Sequence, residues 1–197
     1  MYNDLFEDIA CVVVITRGIV DQSDNFVMCV TYFEIGRRLS KHEQTAGEWV
    51  RYGEGLLRDL SLFLTERFGK GFSVTAVRHT RAFYKTYVTK VNSTTNDNGE
   101  TIICQIDDGE EQAMQTILPV EKYPFKLKWN HYHILYRIKN DDERIFYETE
   151  AFNRQWSYKQ LLKEFNSSLY ERLALSRNKD EINRLDSEDL LMRNLLI

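Results

Sequence analysis

The sequence predicts a mainly α-helical protein, a helical bundle that contains a helix-turn-helix (winged-helix-like) unit. Three observations carry that expectation. Apolar residues recur at three- and four-residue spacing along most of the chain, the period of a helix with one buried face. Only 9 glycines and 2 prolines interrupt 197 residues, too few for a fold made of many short strands and turns. One stretch alone, at about 101–118, reads as a small β-hairpin.

Residues 2–20 form the first expected helix, with Leu5, Phe6, Ile9, Val12, Val13 and Val20 as its buried stripe. The β-branched cluster Val12-Val13-Val14-Ile15 also suits a strand, but the longer periodicity favours helix. Asp21 to Asn25 is a polar break. Phe26 to Glu43 is the second helix, burying Val27, Val30, Tyr32, Phe33, Ile35 and Leu39; Gly36 inside it signals close packing against a neighbour.

Gly53 to Tyr87 organises the rest. Leu56, Leu57, Leu60, Leu64 and Phe68 mark one buried helix face. Gly69-Lys70-Gly71-Phe72 then ends it, since glycine takes the positive φ of a helix C-terminus without a steric penalty. Ser73 is a suitable N-cap for the next helix. Two helices joined by a short glycine turn make a helix-turn-helix pattern. At 100° per residue, Val74, Ala76, Val77, Phe83, Tyr84, Tyr87 and Val88 share one half of that second helix. Thr75, Arg78, His79, Ala82, Lys85 and Thr86 share the other, which carries no acid. Such a helix suits a groove of DNA, although an ordinary amphipathic pair has the same periodicity. Arg81 falls on the apolar edge and reads as a structural arginine held by a carboxylate.

Charge is unevenly distributed. The formal net charge is −4, so nucleic acid would have to meet a local patch. Arg51 to Lys90 holds eight bases and three acids, net +5, whereas Asn92 to Val120 holds six acids and no base. The expected hairpin follows the proposed recognition helix, the place of a wing, but phosphates would repel its acids. It therefore faces away from nucleic acid or is an insertion.

Beyond Pro119 and Pro124, Trp129 opens a helix to about Ile138 and Asp141 begins another. Ser157-x-x-Gln160 is a capping box for a third, and 169–176 continues helically. Residues 177–197 are charged and then apolar, a tail or the start of a linker.

Catalysis finds little support. His131-x-His133 lies two apart, a spacing that does not share a helix face, and no acid or cysteine cluster completes a metal site. Gly69-x-Gly71 follows a helix instead of a strand, so it is no dinucleotide loop. Cys11, Cys29 and Cys104 are scattered and form no disulfide framework. We expect no cofactor, no metal, no enzymatic activity of this chain alone, no membrane span, and a cytoplasmic protein.

Several segments resemble the YhcG N-terminal domain family of bacteria. The carriers are Tyr32-Phe33-Glu34-Ile35-Gly36-Arg37-Arg38, Tyr52-Gly53 with Leu56-Leu57, Leu60-Ser61 with Leu64-Thr65, Phe68 to Ser73, and Arg78 with Arg81, Phe83 and Tyr84. Later come Trp129 with His131-Tyr132, Arg144 with Phe146-Tyr147, Glu150-Ala151, Trp156-Ser157, and Leu169 to Leu173. The resemblance implies a helical, winged-helix-like domain over 1–176. It also implies a DNA-acting setting, because such a domain usually precedes a PD-(D/E)XK nuclease domain. No Pro-Asp with a following Glu/Asp-x-Lys occurs in this sequence, so that nuclease's metal-binding core is absent from it.

Two functions follow as expectations. One is a DNA-binding module, with Lys70, Thr75, Arg78, His79 and Lys85 on DNA, and Glu34, Gly36, Arg81, Trp129 and Trp156 structural; it would serve a nuclease domain in cis or in trans. The other is a protein-interaction or oligomerisation module, such as a homodimer, suited by an aromatic content of 13% and the apolar tail Leu190–Ile197.

Overall fold

The computed structural model describes residues 3–18, 23–45, 54–95 and 123–176. These are mainly helical, with no strand among them. The expected hairpin at about 101–118 and the tail 177–197 lie outside the described residues. The elements are α1 (Asn3–Arg17), α2 (Asp24–Thr45), α3 (Glu54–Phe68), α4 (Val74–Thr95), α5 (Trp129–Leu135), α6 (Asp141–Asn153), α7 (Tyr158–Asn166) and α8 (169–176). They fall into two compact units, Met1–Arg137 and Ile138–Ile197. The expected 1–176 domain spans both.

In the first unit α2 and α4 form the main helix pair, flanked by α1, α3 and α5. The aliphatic part of the core joins Leu5, Ile9 and Val13 of α1 to Ile35 and Leu39 of α2 and to Leu56, Leu57, Leu60 and Leu64 of α3. Val12 to Ile15 is helical, as the longer periodicity favours. An aromatic part fills the space between α2, α4 and α5. Phe83 has Phe33, Tyr87, Phe125, Trp129 and Tyr132 around it, with ring centroids 5.1–6.0 Å away. Such tilted and edge-on pairs add to plain area burial. The extended segment 123–128 supplies Tyr123 and Phe125 to this core. The Tyr132 hydroxyl fixes it by accepting from the Lys126 amide at 3.0 Å.

Gly36 lets α2 and α4 touch backbone to backbone. A Cβ built there would overlap the Thr80 carbonyl oxygen and lie 2.7 Å from both the Thr80 carbonyl carbon and Tyr84 Cβ. Nearby, the fully buried Glu34 accepts from Arg38 Nη1 and from the Tyr123 hydroxyl, each at 2.8 Å, and forms an ion pair with Arg37, whose Nε lies 3.1 Å away. Arg38 Nε reaches Asp8 of α1 at 3.0 Å. A buried carboxylate needs such partners, since desolvation alone would be costly.

Cys29 is a free, buried thiol, pushed up from its ordinary range by burial. Cys11 is disulfide-bonded. No described helix is long and apolar enough to cross a membrane.

The second unit is built on its caps. Asn140 Oδ1 accepts from the amides of Asp142 and Glu143 to start α6, and Ser157 Oγ accepts from Gln160 to start α7. The Gln160 side chain turns to Glu164 at 2.7 Å, so only half of the capping box forms. Tyr147 is fully buried and packs on Phe165, and its hydroxyl accepts from the Tyr170 amide at 3.2 Å. Trp156 is half-buried, with the Arg154 guanidinium 6.0 Å from its ring centre.

Candidate nucleic-acid interface

The turn between α3 and α4 is built as its sequence demands. Gly69 and Gly71 have φ of 81° and 121°, conformations open to glycine. The Gly71 carbonyl accepts from the Tyr32 hydroxyl at 3.0 Å, which ties the turn to α2. Ser73 Oγ accepts from the Ala76 amide at 3.2 Å and caps α4. Arg17 donates to the Phe68 carbonyl at 3.1 Å, placing a cation at the end of α3, where the helix dipole favours one.

Once capped, α4 presents three faces. Val77, Thr80, Phe83, Tyr87 and Val91 are buried. Arg81 and Lys85 flank α2: Arg81 Nη1 lies 2.6 Å from Glu43 Oε1, and Lys85 Nζ 3.8 Å from the other oxygen of the same carboxylate. Thr86 and His79 flank α5, with the Thr86 hydroxyl 3.5 Å from the Tyr136 carbonyl. Between these flanks Thr75, Arg78, Lys85 and Thr89 are exposed. Their spacings of three, seven and four residues, completed by the half-buried Ala82, draw one stripe along the helix. No acid lies in that stripe. Lys70, on the turn, is exposed as well.

The basic surplus of this region is thus partly neutralised. Arg67 pairs with Glu7 of α1 at 2.7 Å and Arg81 with Glu43 of α2. Lys85 shares Glu43 with Arg81 but stays more than half exposed. Thr75, Arg78 and Lys85 therefore fall on one solvent-facing line, while His79 turns toward α5.

A model of the DUF1016 N-terminal domain matches residues 8–172. The chain belongs to this family. It is the YhcG N-terminal domain family that the motifs resemble. The chain is 32% identical over 181 residues to the "Putative nuclease YhcG" of Escherichia coli (strain K12), a match covering 90% of this chain and 48% of that protein. The chain thus spans about half the length of that curated relative. No solved structure matches it.

This DUF1016 N-terminal domain also holds a cluster that linear spacing does not reveal. His133 Nε2 lies 3.0 Å from His79 Nδ1, and Arg137 Nη2 is 3.1 Å from the same His133 nitrogen. Tyr136 packs near both rings and Trp129 near His133. Trp129 also stands edge-on to Tyr32 at 4.6 Å, so it belongs to the core as well as to the rim of this cluster. Burial first, and the Arg137 guanidinium second, hold both imidazoles below their ordinary pKa; Arg78 adds to the effect on His79, and His79 to that on His133. Among the described residues no three His, Cys, Asp or Glu side chains could hold a metal ion together. His131, two residues away, is buried apart from this pair, 4% exposed.

Proposed function

We propose that this chain is a non-catalytic DNA-binding module of a nuclease-associated cytoplasmic protein. Its duplex contacts run along the exposed stripe of α4. One observation carries the reading: a helix packed on its other sides leaves an open line through Thr75, Arg78, the half-buried Ala82, Lys85 and Thr89, with no acid in it. Phosphate contacts need local cations, and base edges need a helix that can enter the major groove. Lys70, beside the N-terminus of α4, adds a charge where phosphates are favoured. The relative's name, a nuclease, and the chain's share of its length support a targeting role for a nuclease domain in cis or in trans.

Anisotropy titration of a mixed-sequence duplex at two salt concentrations tests this. Binding weakens steeply with salt, and Arg78→Ala with Lys85→Ala lowers the log–log salt slope by about 2. An unchanged slope in the double variant refutes the stripe as the interface.

A second reading, a protein-interaction or homodimer module, is favoured by a different observation. In the second unit Ile145 (56% exposed) and Phe152 (40%) lie seven apart on α6, and Leu175 is 69% exposed. Light scattering on Ile145→Glu with Phe152→Glu tests it: loss of a dimer supports the reading, and a strictly monomeric parent chain refutes it.

A further inference from the structure

Arg17 closes α1 beside the turn that starts α4. Its Nη2 donates to the Phe68 carbonyl at 3.1 Å, and its Cζ stands 5.3 Å from the Phe68 ring centre and 6.0 Å from that of Phe72. Phe72 is buried, edge-on to Tyr32, and lies one residue ahead of the cap Ser73. The guanidinium is therefore held at the end of α4 where that helix begins, on rings fixed by the core. Arg17 itself is exposed, and so is Lys70 on the same turn. Arg67 offers a comparison. It stands over the same Phe68 ring at 5.8 Å, but its Nη1 meets Glu7 at 2.7 Å. One arginine on this ring faces a carboxylate. The other faces a carbonyl, which takes up one N–H and leaves the charge in place.

Capping the end of α3 accounts for one of the five N–H groups of a guanidinium. The rest of the fork suits two oxygens of a phosphate side by side. A cation already held by ring contacts and a hydrogen bond gives up little side-chain freedom when it binds such a group. The location fits the same ligand. A duplex that follows the α4 stripe from Lys85 to Thr75 arrives at this turn, where Lys70 and Arg17 stand. We propose that Arg17 is a phosphate-contact residue which, with Lys70, holds the DNA backbone at the N-terminal end of the α4 stripe. The inference rests on the DNA-binding reading above. It adds a residue from a different helix, α1, one that positions the duplex without reading its sequence.

The test is duplex binding by the full chain, read by anisotropy over a series of salt concentrations in phosphate-free buffer. Arg17→Gln is expected to lower the log–log salt slope by about 1 and to weaken binding alike across duplex sequences. Arg17→Lys, which keeps the charge, keeps the slope. Arg67→Gln, whose charge Glu7 already matches, leaves the slope unchanged. Circular dichroism checks that each variant keeps its helicity and Tm. Arg17→Met, which keeps apolar packing on the two rings, repeats the measurement if glutamine lowers Tm. If Arg17→Gln and Arg17→Met keep the parent's slope while Arg78→Ala with Lys85→Ala lowers it, Arg17 is only a structural cap and the DNA reading survives. If the Arg17 variants lower the slope and the Arg78, Lys85 double variant does not, the phosphate contact stands and the stripe falls. An equal fall in Arg67→Gln overturns the site as a general effect of charge. No duplex binding by the parent chain at low salt overturns both.

Discussion

Replacing Gly36 by alanine isolates the backbone contact between α2 and α4. The new methyl group would sit 2.7 Å from the Thr80 carbonyl carbon and from Tyr84 Cβ, and closer still to the Thr80 oxygen. Two of those three atoms are backbone of α4, so no side-chain rotation relieves the overlap. α2 must move away from α4 along their main contact. Overpacking of this kind costs about 1–3 kcal/mol, and more where backbone is the obstacle. Against it stands the gain in helix propensity, about 1 kcal/mol for glycine to alanine inside a helix. The net expectation is a loss of about 2 kcal/mol, or a fall in Tm of about 4–8 °C for a chain of this size. Gly55→Ala is the matched control. Nothing lies within 4 Å of a Cβ at Gly55, so that variant keeps or slightly raises Tm. Thermal unfolding followed by circular dichroism at helical wavelengths reads both. If Gly36→Ala is as stable as Gly55→Ala, the backbone contact between α2 and α4 is not as described.

Other perturbations read other links. Glu34→Gln leaves Arg37 and Arg38 facing a neutral group at a buried site, and urea denaturation should register a loss of about 3 kcal/mol. Ser73→Ala removes the acceptor for the Ala76 amide and should cost about 1 kcal/mol in the same assay, with Ser73→Asp restoring most of it. The Cys29 thiol, buried and held protonated, should react with a thiol-labelling reagent only on unfolding, so labelling at pH 8 in native buffer would contradict its placement. The histidine pair adds a pH dependence whose sign is fixed. Its folded pKa values lie below the unfolded value near 6.5, so the unfolded chain binds more protons as pH falls. Stability is therefore full above that value and declines below it. In phosphate-free buffer, His133→Gln should flatten the fall in Tm between pH 7 and pH 5, and an equal fall in the variant would rule the pair out as its source.

What the sequence made legible, and what it did not, divides along a physical line. Signals confined to one turn of chain were readable. Gly69 and Gly71 announce positive φ, Ser73 and Ser157 offer oxygens to orphan amides, and the leucines of α3 mark its buried side. Each depends on a few neighbouring residues, so a short window holds the information. Pairings between distant residues were not readable. His79 meets His133 across 54 positions, and Tyr123 reaches Glu34 across 89. No periodicity encodes either, because each depends on which helix faces meet. The segment 123–128 shows this most directly: lying at Pro124, just ahead of the helix that Trp129 opens, it carries no periodic signal, yet Tyr123 and Phe125 are buried in the aromatic core.

The same limit bears on α4 and on the proposed interface. A helical wheel divides α4 into two halves, apolar and polar. Tertiary packing divides it into three: a buried face, flanks against α2 and α5, and the exposed stripe. Arg81, Lys85, His79 and Thr86 all leave the apolar half of the wheel or sit at its edge, yet each finds a partner on a neighbouring helix or at its end. What remains for solvent is narrower than the polar half, and the exposed cations of α4 are Arg78, the shared Lys85 and, nearer its C-terminal end, Lys90. A surface with so few charges releases few counterions, so its intrinsic affinity for DNA should be modest and strongly salt-limited. In the proposed reading, α4 would then orient a nuclease domain on DNA and leave most of the affinity to that domain.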